Sequence, residues 1–392
     1  MTAIRCGGSS DATPEAYGRR ACQAQSMVSD DLFSAPMLAL PFQPHGVAWA
    51  TKEWPPAIPT APVGAALDLL LDQAFDPDGP LAQTYAVVVI SGGRLVAERY
   101  GGAEPRSEGT IPVGPDSTLL SWSMTKSMLH AVVGMLVADG RLILDDPAPV
   151  PRWDSSYDPR RAITLQQLLE MRSGLAFAED YVDRGVSDVM EMLWGSGSDD
   201  VAAFAAERPL VAPPGSVFHY SSGTSNIISG VVARTVGPGE PYRRFLAEHL
   251  FEPLGMSSAV PDFDAAGTWV ASSTLYATAR DFARFGLLYL RDGVWDGQRL
   301  LPTGWVDHGR RPRSIDPDDG MIHGAHWWVV GDEHGSFWAS GYSGQSILIS
   351  PGLDLIVVRL GDTPTERGDQ LTRWKADVVA AFASSPISSN DL

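Results

Sequence analysis

"SWSMTKSMLH", residues 121–130, is the stretch on which the reading of this chain turns. The chain has three lysines, Lys52, Lys126 and Lys375, and its other 26 basic residues are arginine. One of the three stands three residues after Ser123, at the head of an apolar run. In a helix beginning near Ser123, residues i and i+3 share a face, so Lys126 reaches the Ser123 hydroxyl. A serine hydroxyl is a weak nucleophile until a base takes its proton. Lysine can be that base when burial or nearby positive charge lowers its pKa. Arginine cannot, because it stays protonated up to about pH 12. A lysine kept here, with arginine left to serve the surface, fits a removable proton. A plain helix N-cap at Ser121 or Ser123 explains the serine almost as well. The four-residue spacing alone is a weak signal.

Two further stretches lie downstream. "PPGSVFHYSSGTSNIIS" (213–229) places Tyr220 just before a helical pattern. A tyrosine beside a lysine ammonium can have its pKa lowered and pass protons; a half-buried tyrosine with a satisfied hydroxyl is the structural alternative. "ASGYSGQSILIS" (339–350) reads as a strand carrying Gly341 and Gly344, where backbone can approach a ligand closely. Backbone N–H groups there, with that of Ser123, would suit an oxyanion hole. A bend in a sheet edge also explains the glycines.

Periodicity supplies the frame. Helices are expected over 63–75, 123–140, 163–174, 200–210, 221–237, 241–255, 276–293 and 370–385. A hairpin around Ser-Gly-Gly is expected over 84–101, and antiparallel strands over 325–331, 336–344, 346–350 and 353–361. Early and late strands would join in one sheet, with the helices between them as a second, all-α lobe. Residues 1–60 are rich in proline near their end and read as a tail and wrap, with disorder expected before residue 30. The domain proper is expected over 61–390, as an α/β lobe (about 61–125 and 270–390) and a helical lobe (about 126–269).

Composition narrows the partners. The formal charge is 29 − 47 = −18, which disfavours nucleic acid and anionic membrane. No secretory h-region and no 18-residue apolar run is present, so a cytoplasmic location is expected. Cys6 and Cys22 form neither a disulfide framework nor a zinc motif. His323-x-x-His326 with Asp332 lacks a third ligand at fitting spacing, so no metal and no cofactor are expected. No Gly-x-Ser-x-Gly elbow occurs, and no Gly-x-Gly-x-x-Gly follows a strand. His219 and His130 read as structural neighbours. Glu179 and Asp180 either face the pocket or sit on a solvated loop, and the loop is the favoured reading. Of Trp327 and Trp328, one is expected in the core and the other at the cleft.

Ser123-Met124-Thr125-Lys126, then Tyr220, then a glycine-bearing strand near the end: this order resembles the serine β-lactamase and penicillin-binding-protein superfamily. "GRLILDDPAPV", "ITLQQLLEMRSGL", "PPGSVFHYSS", "LFEPLGM" and "TARDFARFG" support its class C-like branch. "EDYVD" (179–183), "HWW" (326–328) and the Gly-x-x-Gly-Gln ending at Gln345 are most similar to 6-aminohexanoate-dimer hydrolases and family VIII carboxylesterases. The resemblance implies a β-lactamase/transpeptidase-like α/β (α+β) fold, an antiparallel sheet flanked by helices plus an all-α lobe. It implies Ser123 as acylated nucleophile, Lys126 as base and Tyr220 as proton relay. It implies the backbone N–H groups of Ser123 and Tyr342 as oxyanion hole, and a pocket formed by Phe177, Tyr181, Ser222, Trp327, Trp328, Gly341 and Ser343.

Three departures shape the expectation. Ser222 stands where the family's Tyr-x-Asn motif has its amide. The third motif, Ala339-Ser340-Gly341 or in another register Tyr342-Ser343-Gly344, lacks the family's cation. Phe177 stands where amide-cutting relatives carry a tyrosine. Small carboxylic esters are therefore expected ahead of linear amides such as 6-aminohexanoate oligomers, in a monomer or homodimer. The alternatives are a β-lactamase or D-aminopeptidase-type amide hydrolase, and a non-catalytic homologue binding peptide in the cleft.

Overall fold

The computed structural model describes residues 31–106, 109–181 and 187–384. Cys6 and Cys22, the expected disorder before residue 30, and Val182 and Asp183 lie outside them. Among the described residues an eight-stranded antiparallel sheet organises the molecule. Its strands are β1 (Gln83–Ser91), β2 (Arg94–Tyr100), β3 (Ser314–Ile315), β4 (Ile322–His323), β5 (Trp328–Val329), β6 (Phe337–Gly341), β7 (Gln345–Ser350) and β8 (Leu355–Asp362). Their order is β3-β4-β5-β6-β7-β8-β1-β2. The early hairpin thus joins the late strands through β1 and β8, with Val88 opposite Val358. Gly92 and Gly93, both at positive φ, make the tight turn of that hairpin.

Strand residues alternate between two apolar faces. Val87, Val89 and Val357 pack under α1 (Ala61–Phe75) and α5 (Gly368–Ala383) with Leu67, Leu71, Trp374 and Val378. Val88, Ile90, Ile347, Ile356 and Val358 point into the larger core. That core includes α4 (Ala279–Leu290), α2 (Thr125–Ala138) and α3 (Ser222–Val236). Nearly all of α2 is buried, from Thr125 to Leu136, as an apolar helix inside a large core must be.

Several elements are shorter than their patterns suggest. The helix expected over 163–174 spans only Leu165–Leu169; Met171 then takes φ +56° and turns the chain. The 276–293 pattern starts as strand Leu275–Ala277, paired with Leu119–Leu120. Thr278 then caps α4 by accepting the Asp281 N–H. The strand signal over 325–331 yields only β5, and that over 336–344 ends at Gly341. Helix Asp188–Trp194, with Ser187 as its cap, has no counterpart among the expectations.

The segment before α1 lies over the body and is tied down by arginine. Arg284 donates to Ala50 O, Arg291 to Gln43 Oε1 and Pro41 O, and Arg310 to Leu38 O. The idea that arginine serves the surface is therefore corrected. Arg284, Arg291 and Arg310 are buried, and Arg359 is fully so, donating to the carbonyls of Leu81, Gln83, Ser343 and Gly344. A buried guanidinium persists because its five donors can all be satisfied by fixed carbonyls. Among the described residues no helix is long and apolar enough to cross a membrane.

Candidate active site

Ser123 sits in a single 3₁₀ turn, Trp122–Met124, leading into α2. No serine side chain caps this helix. The Ser121 hydroxyl instead accepts the Leu275 N–H and lies 2.5 Å from Thr125 Oγ1, and the capping alternative is set aside. Trp122 has φ +48°, an outlier for a bulky residue and a mark of local strain immediately before Ser123.

Lys126, on the first turn of α2, is buried and makes three contacts. Its Nζ lies 2.9 Å from Ser123 Oγ, 3.0 Å from Ser222 Oγ and 2.8 Å from Ser272 O. Ser272 is held by Asn226, whose Oδ1 accepts the Ser272 N–H and whose amide donates to Ser272 Oγ. Ser222 donates its hydroxyl proton to Glu179 Oε1 at 2.5 Å, and its N–H to Glu179 Oε2 at 2.8 Å. With its proton engaged there, the Ser222 hydroxyl offers Lys126 a lone pair. Ser222 and the Ser272 carbonyl thus accept two amine hydrogens, and a neutral lysine has its lone pair left for Ser123. Burial pushes the Lys126 pKa down to about 8, while Glu179 pulls it upward.

Glu179 corrects the loop reading: it is half-buried and part of the site, whereas Asp180 is exposed. The contact joins residues 43 positions apart, which local pattern cannot reveal. Ser222 bonds Lys126 directly, so the departure from Tyr-x-Asn leaves the lysine supported.

Tyr220 stacks on Trp328, with ring centroids 5.4 Å apart, and its ring lies 5.0 Å from Lys126 Nζ. The phenol is not lowered as expected. Burial pushes its pKa above the ordinary value and Glu179 adds to this, while the Ser123 hydroxyl pulls the other way. Tyr220 is a neutral phenol, able to donate.

The third motif resolves to Ala339-Ser340-Gly341. Ser340 lines the same small niche as Ser123, Lys126 and Tyr220. A Cβ on Gly341 would stand 2.4 Å from Ser121 O and 3.2 Å from Trp122 Cβ, so glycine lets β6 run against the nucleophile turn. Tyr342–Gly344 forms a 3₁₀ turn, with Tyr342 exposed beside Trp122 and Tyr181. Ser343 turns its carbonyl to Arg359 and the Thr363 N–H and does not line the niche around Ser123.

Two pocket expectations are corrected. Phe177 is buried in the core, its ring against Gly223, and Tyr181, not Phe177, brings a phenol to the site, 3.4 Å from Glu179 Oε1. Burial and Glu179 raise the Tyr181 pKa, so this hydroxyl too is neutral. Trp327 is fully buried, parallel to Phe285 and edge-on to Phe337. Trp328 is the tryptophan that faces the site.

His323 and His326 line the niche as well, a placement their spacing did not reveal. His326 Nδ1 donates to Leu169 O at 2.8 Å, so Nε2 accepts from the Ser225 hydroxyl at 3.0 Å. Both nitrogens are thereby engaged, and Asp332 accepts the Ser336 N–H. Among the described residues no group of three or more His, Cys, Asp or Glu could hold a metal ion. His130 is buried between Tyr289 Oη and His308, and His219 Nδ1 lies 3.4 Å from Leu175 O. A larger cavity, about 270 Å³, opens near Val150, Asp200 and Arg234 and contains none of the groups around Ser123.

The Beta-lactamase family matches over residues 78–382. The 6-aminohexanoate-dimer hydrolase of Paenarthrobacter ureafaciens is 29% identical over 334 residues, 79% of this chain and 80% of that one. Esterase EstB of Burkholderia gladioli is 32% identical over 212 residues, 51% of this chain and 52% of its own. A penicillin-binding protein homologue from Caulobacter crescentus superposes with a TM-score of 0.64 at 18% identity, covering 83% of this chain and 99% of that chain. At that identity the likeness concerns fold alone.

Proposed function

This chain belongs to the Beta-lactamase family, and from that premise we propose that it hydrolyses small carboxylic esters and linear amides through an acyl-enzyme on Ser123. The observation that carries the proposal is the buried Lys126 amine, 2.9 Å from Ser123 Oγ, with its other hydrogens directed to Ser222 and Ser272. In its neutral form Lys126 takes the Ser123 proton as Oγ attacks the substrate carbonyl. The backbone N–H groups of Ser123 and Tyr342 hold the oxyanion that forms. The neutral phenol of Tyr220 donates a proton to the leaving group and regains one from Lys126. Water then releases the acid and restores Ser123.

The substrate range widens from the initial expectation. Preference for esters rested on Phe177 lacking a hydroxyl. Tyr181 supplies a neutral phenol on the Glu179 side of the site, and an amide nitrogen, a poor leaving group, gains from such a donor. Linear amides such as the 6-aminohexanoate dimer therefore stand beside esters. Among the described residues, no cation besides Lys126 lines the niche around Ser123, which favours substrates that are not gripped by a carboxylate over β-lactams and D-peptides.

The test is Ser123→Ala assayed on p-nitrophenyl acetate, p-nitrophenyl butyrate and the 6-aminohexanoate dimer. Turnover should fall by about 10³-fold or more. Wild-type turnover would contradict the mechanism, and a wild-type protein inert to every substrate and to a fluorophosphonate probe would favour a non-catalytic peptide binder.

A further inference from the structure

Among the residues lining the niche around Ser123, one fully buried side-chain nitrogen has no hydrogen-bond partner, and it belongs to an imidazole. His323 ends β4 and is 1% exposed. Its ring packs at 5.0 Å from Phe218, 5.0 Å from Trp328 and 6.4 Å from Tyr220. Its Nδ1 has no well-formed hydrogen bond. The ring lines a niche of about 10 Å³ with Ser123, Lys126, Tyr220, Trp328 and Ser340. That volume is the lower end of what a single water needs, about 10–15 Å³, and a seated water also needs two to four polar partners. Burial holds the His323 pKa down to about 3, with His326 and Lys126 acting the same way. The imidazole is therefore neutral and has an acceptor nitrogen.

We propose that this niche seats the water that hydrolyses the acyl-enzyme, and that His323 positions it. The proposal rests on Ser123 as the acylated residue. The water oxygen attacks the carbonyl carbon carried on Ser123 Oγ, and one of its protons passes to neutral Lys126. As the tetrahedral adduct collapses, the carbon–Oγ bond breaks and the proton returns from Lys126 to Oγ. His323 accepts the water's second hydrogen as a hydrogen bond and exchanges no proton. Its role belongs to deacylation alone, since acylation needs no water.

This separation gives the test. His323→Phe keeps a ring among Phe218 and Trp328 and removes both nitrogens. With p-nitrophenyl acetate, the acylation burst should stay near the wild-type rate while steady-state turnover falls roughly ten- to a hundredfold. Acid-quenched enzyme should then carry acetyl on Ser123 at a higher steady-state occupancy, and lose it more slowly, than the wild type. His323→Gln, which restores an acceptor, should recover part of the loss. His323→Asn, too short to reach the niche, should show the same accumulation if the Phe variant does not fold. Unchanged turnover, or burst and turnover falling together with no gain in acetyl-Ser123 over the wild type, would overturn the proposal. Full activity of Ser123→Ala would instead remove the reading on which it rests, and the niche with it.

Discussion

At Lys126 the direction of the pH dependence follows from which form of the amine acts. Only the neutral amine can accept the Ser123 proton, so kcat/KM should rise with pH through a limb near 8, the value to which burial lowers this group. Lys126→Arg should lose about 10²-fold or more across the range, because arginine stays charged. Glu179 refines the sign. Its carboxylate raises the Lys126 pKa, so Glu179→Gln should move the limb to lower pH. The same change frees the Ser222 hydroxyl from its fixed acceptor, so the plateau should fall as well. An unmoved limb and plateau would return Glu179 to the solvated loop of the sequence reading. Pairs like Glu179 and Ser222 were beyond that reading, because their contact depends on how a loop packs against the first residue of α3. Ser123, Lys126 and Tyr220 were singled out by the order of the motifs on which the resemblance rests, since the Ser-x-x-Lys spacing and a lone tyrosine are each weak signals.

At the scale of elements, the approach of β6 to the nucleophile turn is the least forgiving contact. A Cβ on Gly341 meets backbone at Ser121 O, not the flexible end of a side chain. Gly341→Ala should therefore shift the turn that carries Ser123 and cost about 10²-fold in kcat/KM, with a smaller change in melting temperature. Kinetics equal to wild type would mean the two segments have slack. Elements with several clean periods, such as α1, β1, β8 and α5, were readable from sequence. Strands β3 and β4 have two residues each, too few for a period of two to register. Their consequence is large, because β4 delivers His323. Tyr181 was expected in the pocket, but that its phenol would stand in for the hydroxyl missing at Phe177 was not legible, for a similar reason. Phe177 and Tyr181 are four positions apart, and spacing alone does not say which one turns inward.

Over the whole molecule, buried histidine sets the acid limit. Glu170 only accepts, so the Gln166 amide faces it and Gln166 Oε1 accepts from His308 Nε2. His308 Nδ1 then accepts from His130 Nε2, and His130 Nδ1 from Tyr289. Both imidazoles of this chain are neutral. Burial lowers His130 well below its ordinary pKa, and lowers His308 and His323 to about 3 and His326 to about 4. Below about pH 6.5 the unfolded chain binds these protons and the folded one does not. Stability is thus full above that pH and is lost as pH falls toward 4, and the urea midpoint should fall steeply across that window. A flat midpoint would mean these imidazoles are hydrated. The segment before α1 also belongs to the whole. A chain beginning at residue 61 loses the carbonyls that Arg284, Arg291 and Arg310 bind, and it should melt several degrees lower. Sequence read this stretch as a wrap from its prolines, but nothing in it signalled that buried arginines would hold it.

The central claim is a covalent intermediate on Ser123, and mass mapping tests it most directly. The protein is mixed with p-nitrophenyl butyrate or a fluorophosphonate, quenched in acid within the turnover time and digested. The account predicts one adduct, on the peptide containing Ser123, absent from Ser123→Ala. Steady hydrolysis with that peptide unmodified and the adduct on another residue would contradict it.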